Sequence, residues 1–309
     1  MTTASLLLQQ LINGLSLGAM YALLALGFTL VYGILELINF AHFNVFMVGT
    51  FIAMWTLEGL GLSGQSVILH GPALIAVLAA GFAVTMVVTG VLGVGIERFV
   101  LRPLRDVKGP AAMITTIGVS YVLFNVILLF VGAGSQNFPN PMPQARFNIA
   151  GAVIELREVL IWVVAIVLML ALTFFVQSTK IGRAMRATAQ DPEAARMMGV
   201  EVDRVIMTAF FLGSALAGAG GMVFGLYYNY TSFIVGFTAG LRAFTAAVLG
   251  GIGNVPGAML GGIVIGLIEA LGSQFVGASW ADVVIFSILV LVLVFRPAGL
   301  LGRVAPNKS

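Results

Sequence analysis

The chain has 309 residues, of which 60% are apolar and only 9% charged, and its mean hydropathy is +1.08. A soluble domain carries roughly 25% charged residues, so a soluble globular protein is excluded. The composition predicts an all-α, polytopic membrane bundle with about 8 to 10 transmembrane segments, forming one domain over residues 1–309. The basic pI of 9.4 does not imply nucleic acid as a partner, because the basic residues fall between apolar runs, which is the positive-inside pattern. With no Cys, disulfide and thiolate–metal chemistry are unavailable.

The first span covers about Leu6 to Val31, punctuated by Gly14, Gly18 and Gly27. No Lys or Arg precedes it, which argues against a signal peptide. Tyr32 to Phe51 holds Glu36, Asn39 and His42 without a loop long enough to leave the membrane. This predicts a broken or re-entrant segment, tolerated only inside protein or against a cavity; the alternative is a short cytoplasmic turn. Span two runs from about Phe43 to Leu57, and a polar loop follows over Glu58 to Gly71. Span three is about Pro72 to Ile96, the basic segment Glu97 to Pro110 is cytoplasmic, and span four is about Ala111 to Val131. The long loop Gly132 to Glu158 has room for a small hairpin over Phe147 to Leu156, with Ala150-Gly151 as its turn. Span five is about Val159 to Val176.

Ser178 to Arg204 is a polar island carrying Lys180, Arg183, Arg186, Arg196 and Arg204. Thr179 is placed to cap a helix running to about Gln190. Asp191 then reads as an N-cap, with Pro192 first in the helix and Glu193 in its first turn. Gly199 reads as the stop. This second helix has about two turns, too few to be stable alone in water. Its small and flexible face, Ala194, Ala195, Met197 and Met198, is expected to point outward into the groove of a cytoplasmic partner.

Span six is about Val205 to Tyr228, with Gly218, Gly221 and Gly225 offering close helix contact. A second interruption follows: apolar pieces over about Phe237 to Leu249 and Ala258 to Leu271 flank GGIGNVPG, Gly250 to Gly257. The last span is about Trp280 to Phe295, followed by Arg296, Arg303 and Lys308. The Glu97 segment carries four basic residues, the island five and the tail three, twelve of the fifteen in the chain. Putting all three on one side places the N-terminus outside, with about nine crossings, fewer if the two interrupted regions are re-entrant. Paired breaks in the two halves point to an internal repeat around a central pathway.

No catalytic residues are assigned: H-E-x-x-H, G-x-S-x-G and Cys are absent, so the chain does not read as an enzyme. No metal site is expected either. None of Lys108, Lys180 and Lys308 lies in a Walker A loop, so ATP-driven transport would need a separate ATP-binding subunit. Glu36, Arg242 and Glu269 are ionisable residues in apolar surroundings, each costing about 2.5–3.5 kcal/mol if lipid-exposed. They therefore face protein or a polar pathway. The readings that stay open are a polar pathway or gate, a structural ion pair such as Arg242 with Glu269, or residues near an interface that snorkel. His42 beside Asn39 reads as a hydrogen bonder at a helix break rather than a proton relay. The Gly250–Gly257 turn, including Asn254, reads as tight packing rather than an anion cradle.

Four stretches resemble the LivH-type permease subunits of bacterial ABC importers for branched-chain amino acids. They are NGLSLGAMYALLALGFTLVYG (Asn13–Gly33), INFAHFNVFMVGTF (Ile38–Phe51), GRAMRATAQDPEAARMMGV (Gly182–Val200) and FTAAVLGGIGNVPGAMLGG (Phe244–Gly262). The third is similar to that family's cytoplasmic coupling segment, here 178–204. The resemblance assigns ATPase coupling to Gly182, Arg183, Arg186, Asp191, Pro192, Glu193, Ala194, Ala195, Met198 and Gly199. Phe43 and Asn44 depart from the family pattern of Gly followed by an acidic or small residue. The resemblance implies a multi-pass bacterial inner-membrane protein, in contact with membrane lipid. Its implied partners are a LivM-like second permease in a heterodimer, two cytoplasmic ATPases that bind ATP and Mg, and a periplasmic substrate-binding protein. This chain itself would bind no cofactor. Alternating access would carry substrate along a Gly-, Ala- and aromatic-lined pathway past Glu36, Asn39, His42, Phe43, Asn44, Arg242, Asn254 and Glu269. The alternatives are a related permease for urea, short amides or aromatic acids, and an ion-coupled secondary transporter.

Overall fold

The computed structural model describes residues 3–62, 67–105, 107, 110–296 and 298–302. Lys108, Arg303 and Lys308, which entered the orientation argument, lie outside the described residues. The order is α1 (Thr3–Leu35), α2 (Ala41–Leu57), α3 (Gly71–Ile96), α4 (Ala111–Val131), α5 (Leu156–Ser178), α6 (Lys180–Gln190), α7 (Pro192–Met197), α8 (Val202–Tyr228), α9 (Val235–Gly250), α10 (Val255–Phe275) and α11 (Ala281–Phe295). Among the described residues, eight helices are long and apolar enough to span a membrane, and α9 is a shorter apolar helix. The all-helical, multi-span expectation holds.

The short strands lie at the end opposite the polar island. Arg146–Ile149 and Ala152–Glu155 form the expected hairpin, with φ of 52° at Ala150 and 84° at Gly151. Positive φ at both turn residues matches the right-handed twist of the strands. Gln136–Asn137 pairs antiparallel with Tyr230–Thr231, and the Thr231 hydroxyl meets that of Thr50.

α1 and α8 are buried along nearly their whole length. α4, α5 and α11 keep broad apolar outer faces, among them Phe130, Phe174 and Phe295, as helices facing lipid do. Lipid supplies no hydrophobic drive between helices, so small residues let backbones close in. A Cβ on Gly18 of α1 would sit 2.6 Å from the Ile263 Cα of α10. A Cβ on Gly49 of α2 would sit 2.8 Å from the Gly218 Cα of α8. Gly221 lies against the α2 backbone at Phe46 and Thr50, and Gly225 against the Phe138 ring. The α8 glycines thus do what their spacing predicts.

Both interruptions are present. Residues 36–40 break the chain between α1 and α2, with φ of 52° at Glu36. α2 starts well back from the end of α1. Its His42 Nε2 is 3.3 Å from the Leu24 carbonyl and Phe43 stacks on Phe28. Leu24 lies about 16 Å before the end of α1 at 1.5 Å per residue. The chain after α1 therefore runs back from the end of that helix to bring the start of α2 against its middle, and both flanking helices are long enough to span a membrane. The second break, residues 251–254, separates α9 from α10. A Cβ on Gly33 would be 3.3 Å from the Gly253 Cα, so the two breaks meet at one end of the bundle.

That same end gathers the basic segments. Glu97, fully buried, accepts from Arg102 and Arg105, and Arg105 also reaches Asp203 of α8 at 2.7 Å. Leu300 and Leu301 bond to the Leu249 and Gly250 carbonyls, and Asn254 Nδ2 donates to the Leu301 carbonyl at 2.6 Å.

Candidate functional site

Two places bring the sequence-picked residues together. The first is the helix pair α6–α7. Thr179 Oγ1 accepts from the Gly182 amide at 2.9 Å, and Asp191 Oδ1 accepts from Glu193 and Ala194 at 2.9 and 3.0 Å. At the other end of α7, Gly199 N–H donates to the Arg196 carbonyl and Val200 N–H to the Ala195 carbonyl, with Gly199 at φ of 83°. This is the Schellman arrangement, in which the left-handed residue is usually glycine. Six residues of helix are thus held by caps at both ends.

The outward face differs from the sequence expectation. Ala195 is buried and Ala194 half-buried, whereas Met197 and Met198 are 82% and 84% exposed. The small alanines pack α7 onto the bundle and leave the long side chains outside. Gly182 is also buried, against the Phe175 and Val176 carbonyls. Arg183 and Arg186 stay exposed and donate to the Ser178 and Val176 carbonyls at the end of α5, where a helix leaves its last acceptors unpaired. Gly182, Ala195, Arg183 and Arg186 therefore shape the segment. The surface available to a partner is Pro192, Glu193, Arg196, Met197 and Met198.

The second place is inside the bundle. Arg242 of α9 pairs with Glu269 of α10, and its Nε donates to Asp282 of α11 at 2.9 Å. Tyr21 of α1 donates to Glu269 Oε2 at 2.7 Å and accepts from Arg242 at 3.1 Å. Arg242 and Glu269 thus form the ion pair that the sequence offered as one reading. Tyr21 and Asp282 were not singled out by sequence reasoning. A tyrosine inside the long apolar run of α1 was the available signal for Tyr21, since a buried phenol needs a partner.

Glu269 also lines a cavity of about 310 Å³ with Gln10, Asn13, Leu17, Tyr227, Tyr228, Ala270, Ser273 and Gln274. This cavity sits at the end away from α6–α7, between α1, α8 and α10.

The remaining pathway candidates separate. Asn39, His42, Phe43 and Asn44 are all buried at the start of α2. Asn39 Oδ1 accepts from the Ala41 amide, and Asn44 Nδ2 donates to the Ser120 carbonyl at 2.8 Å. Phe43 fills the space over Gly240 and beside Phe28 and Phe40. Glu36 is exposed at the first break and apart from the ion cluster. Asn254 caps α10 at the Gly257 amide while holding Leu301. Among the described residues no cluster of His, Asp and Glu is arranged to hold a metal.

Residues 10–293 match the family model described as the permease component of the branched-chain amino acid transport system. The chain is similar to the high-affinity branched-chain amino acid transport system permease protein BraD of Pseudomonas aeruginosa, 41% identical with 97% of each chain covered. It is equally similar, 41% with 97% of each chain covered, to the corresponding permease protein LivH of Escherichia coli. A probable branched-chain amino acid permease LivH of Methanocaldococcus jannaschii is 28% identical, covering 91% of this chain and 88% of that one.

Proposed function

The chain belongs to the family of branched-chain amino acid transport permeases, and on that premise we propose how it works. It is a membrane-spanning subunit of an ABC importer and carries branched-chain amino acids. It performs no chemistry itself. A second permease completes the pathway, two ATPases bind ATP and Mg, and a soluble binding protein delivers substrate at the end opposite α6–α7. The setting is the bacterial inner membrane.

The observation that carries the mechanism is α7. A six-residue helix with both caps made, held by buried Ala195, presents Met197 and Met198 to solvent. Methionine adapts its shape to a partner's groove. When the ATPases close, they move α7 and α8, which follows it after residues 198–201. α8 packs on α1, α2 and α3, so a push at α7 reaches the break at residues 36–40. The buried set Asn39, His42, Phe43 and Asn44 is the closed part of the pathway, opened when α2 shifts against α1 and α9.

A pull-down from native membranes tests this, wild type beside Met197→Asp/Met198→Asp. Both side chains are exposed, so folding should change by less than about 0.5 kcal/mol each. The expected result is a second permease and ATPases with the wild type, and loss of the ATPases alone with the variant. Recovery of the chain without ATPases, together with uptake that follows a proton or sodium gradient, would overturn the reading.

A further inference from the structure

The cavity over Glu269 has a definite chemistry. Its floor is a carboxylate. Among its lining residues none is basic. Toward the opening stand amides and a hydroxyl, Gln10, Asn13, Gln274 and Ser273, with Gln10 Nε2 bonded to Gln274 Oε1 at 3.0 Å. Leu17 and Ala270 supply apolar wall. Its volume of about 310 Å³ is at the lower end of small-molecule sites.

Glu269 is not saturated by its partners. Oε2 accepts from Tyr21 and Oε1 from Arg242, whereas an ionised carboxylate offers about four acceptor positions. The cluster holds two acids, Glu269 and Asp282, against one base, Arg242. It therefore keeps one negative charge, and Glu269 is the acid that faces the cavity. Beside it stand two tyrosine rings. Arg157 already lies over the Tyr227 ring, 5.6 Å from its centre. Tyr228 lines the cavity with its ring packed against Phe224, Tyr227 and Tyr230.

We propose that this cavity binds the ammonium end of an amino-acid zwitterion, with Glu269 as its acceptor and the Gln10, Asn13 and Ser273 groups meeting the carboxylate nearer the opening. The proposal rests on the permease reading above and deepens it: the membrane subunit itself selects for a protonated amine. A neutral amide, urea or a bare carboxylic acid lacks the group that Glu269 would hold.

The chain has no cysteine, so Ser273→Cys places a single thiol in the cavity. The solubilised complex, as purified from its membrane, is treated with aminoethyl or sulfonatoethyl methanethiosulfonate, and the mass of this chain is followed. The cationic reagent should react about tenfold faster, as expected for a charge-lined cleft. Millimolar leucine and isoamylamine should slow the reaction, and isocaproate should not. Adding Glu269→Gln should bring the two reagent rates together; Arg242 keeps Asp282 as its partner there, so the bundle retains that ion pair.

Equal rates for the two reagents, or protection by isocaproate as strong as by isoamylamine, would overturn the site even if the Glu269→Gln protein does not fold. The same preparation, reconstituted with its binding protein, is assayed for leucine uptake. Uptake without charge selectivity at the introduced thiol sinks the site alone. No uptake of any branched-chain amino acid by the protein without the Ser273→Cys change sinks the permease reading and the site with it.

Discussion

Gly199→Ala isolates the role of α7 with little else disturbed. A Cβ at Gly199 would meet nothing within 4 Å, so no steric clash contributes. The whole effect is the backbone penalty for a left-handed alanine at φ of 83°, about 1–2 kcal/mol. That corresponds to a factor of about 5–30 in the equilibrium between capped and frayed α7. The amides that report it are Met198, Gly199 and Val200, whose N–H groups close the helix on Ala194, Arg196 and Ala195. Hydrogen exchange on the purified complex should speed up at these three positions by about that factor. Asparagine tolerates the left-handed region better, so Gly199→Asn should fall between wild type and Gly199→Ala. Reconstituted leucine uptake should decline in the same order while the amount of chain in the membrane stays constant. If exchange follows the order and uptake does not, α7 is not the coupling element. If Asn and Ala are equally damaging, the conformational argument itself fails.

Asp191→Ala removes the acceptor for the Glu193 and Ala194 amides and should destabilise α7 by about 1 kcal/mol, read as faster exchange at its first turn. Gly18→Val drives a side chain into the Ile263 backbone, where neither helix has a flexible tip to give way. It should lower the melting temperature of the detergent-solubilised protein, by about 1–3 kcal/mol of stability. Arg242→Met strands the Glu269 carboxylate against Tyr21 and should cost about 3–5 kcal/mol. The double variant Arg242→Met/Glu269→Gln should regain most of that, and a double variant no more stable than the single one would show the pair is not the source.

The sequence alone settled a great deal here because each signal is local. Uninterrupted apolar runs place the spans, and the end of α4 at Val131 is legible because Gly132 follows. Thr179, Asp191, Pro192 and Gly199 each act through the backbone within a few residues of themselves, so the α6–α7 pair was readable with its caps. The resemblance of four stretches carried the family for the same reason, since short motifs survive in one dimension.

What the sequence did not determine depends on which face of a helix turns where. The two-turn α7 has too few residues to reveal a periodic face, and only its packing shows Ala195 inward and Met197 and Met198 outward. Arg242 and Glu269 had alternative partners on paper; the antiparallel packing of α9 and α10 brought them together and added Tyr21 from 248 positions away in the chain. That the two breaks lie side by side, with Gly33 approaching Gly253, was likewise not legible in the sequence. The polar cavity over Glu269 was invisible for the same reason. Its residues come from three helices, and nothing short of their tertiary packing makes Gln10, Tyr228 and Ser273 neighbours.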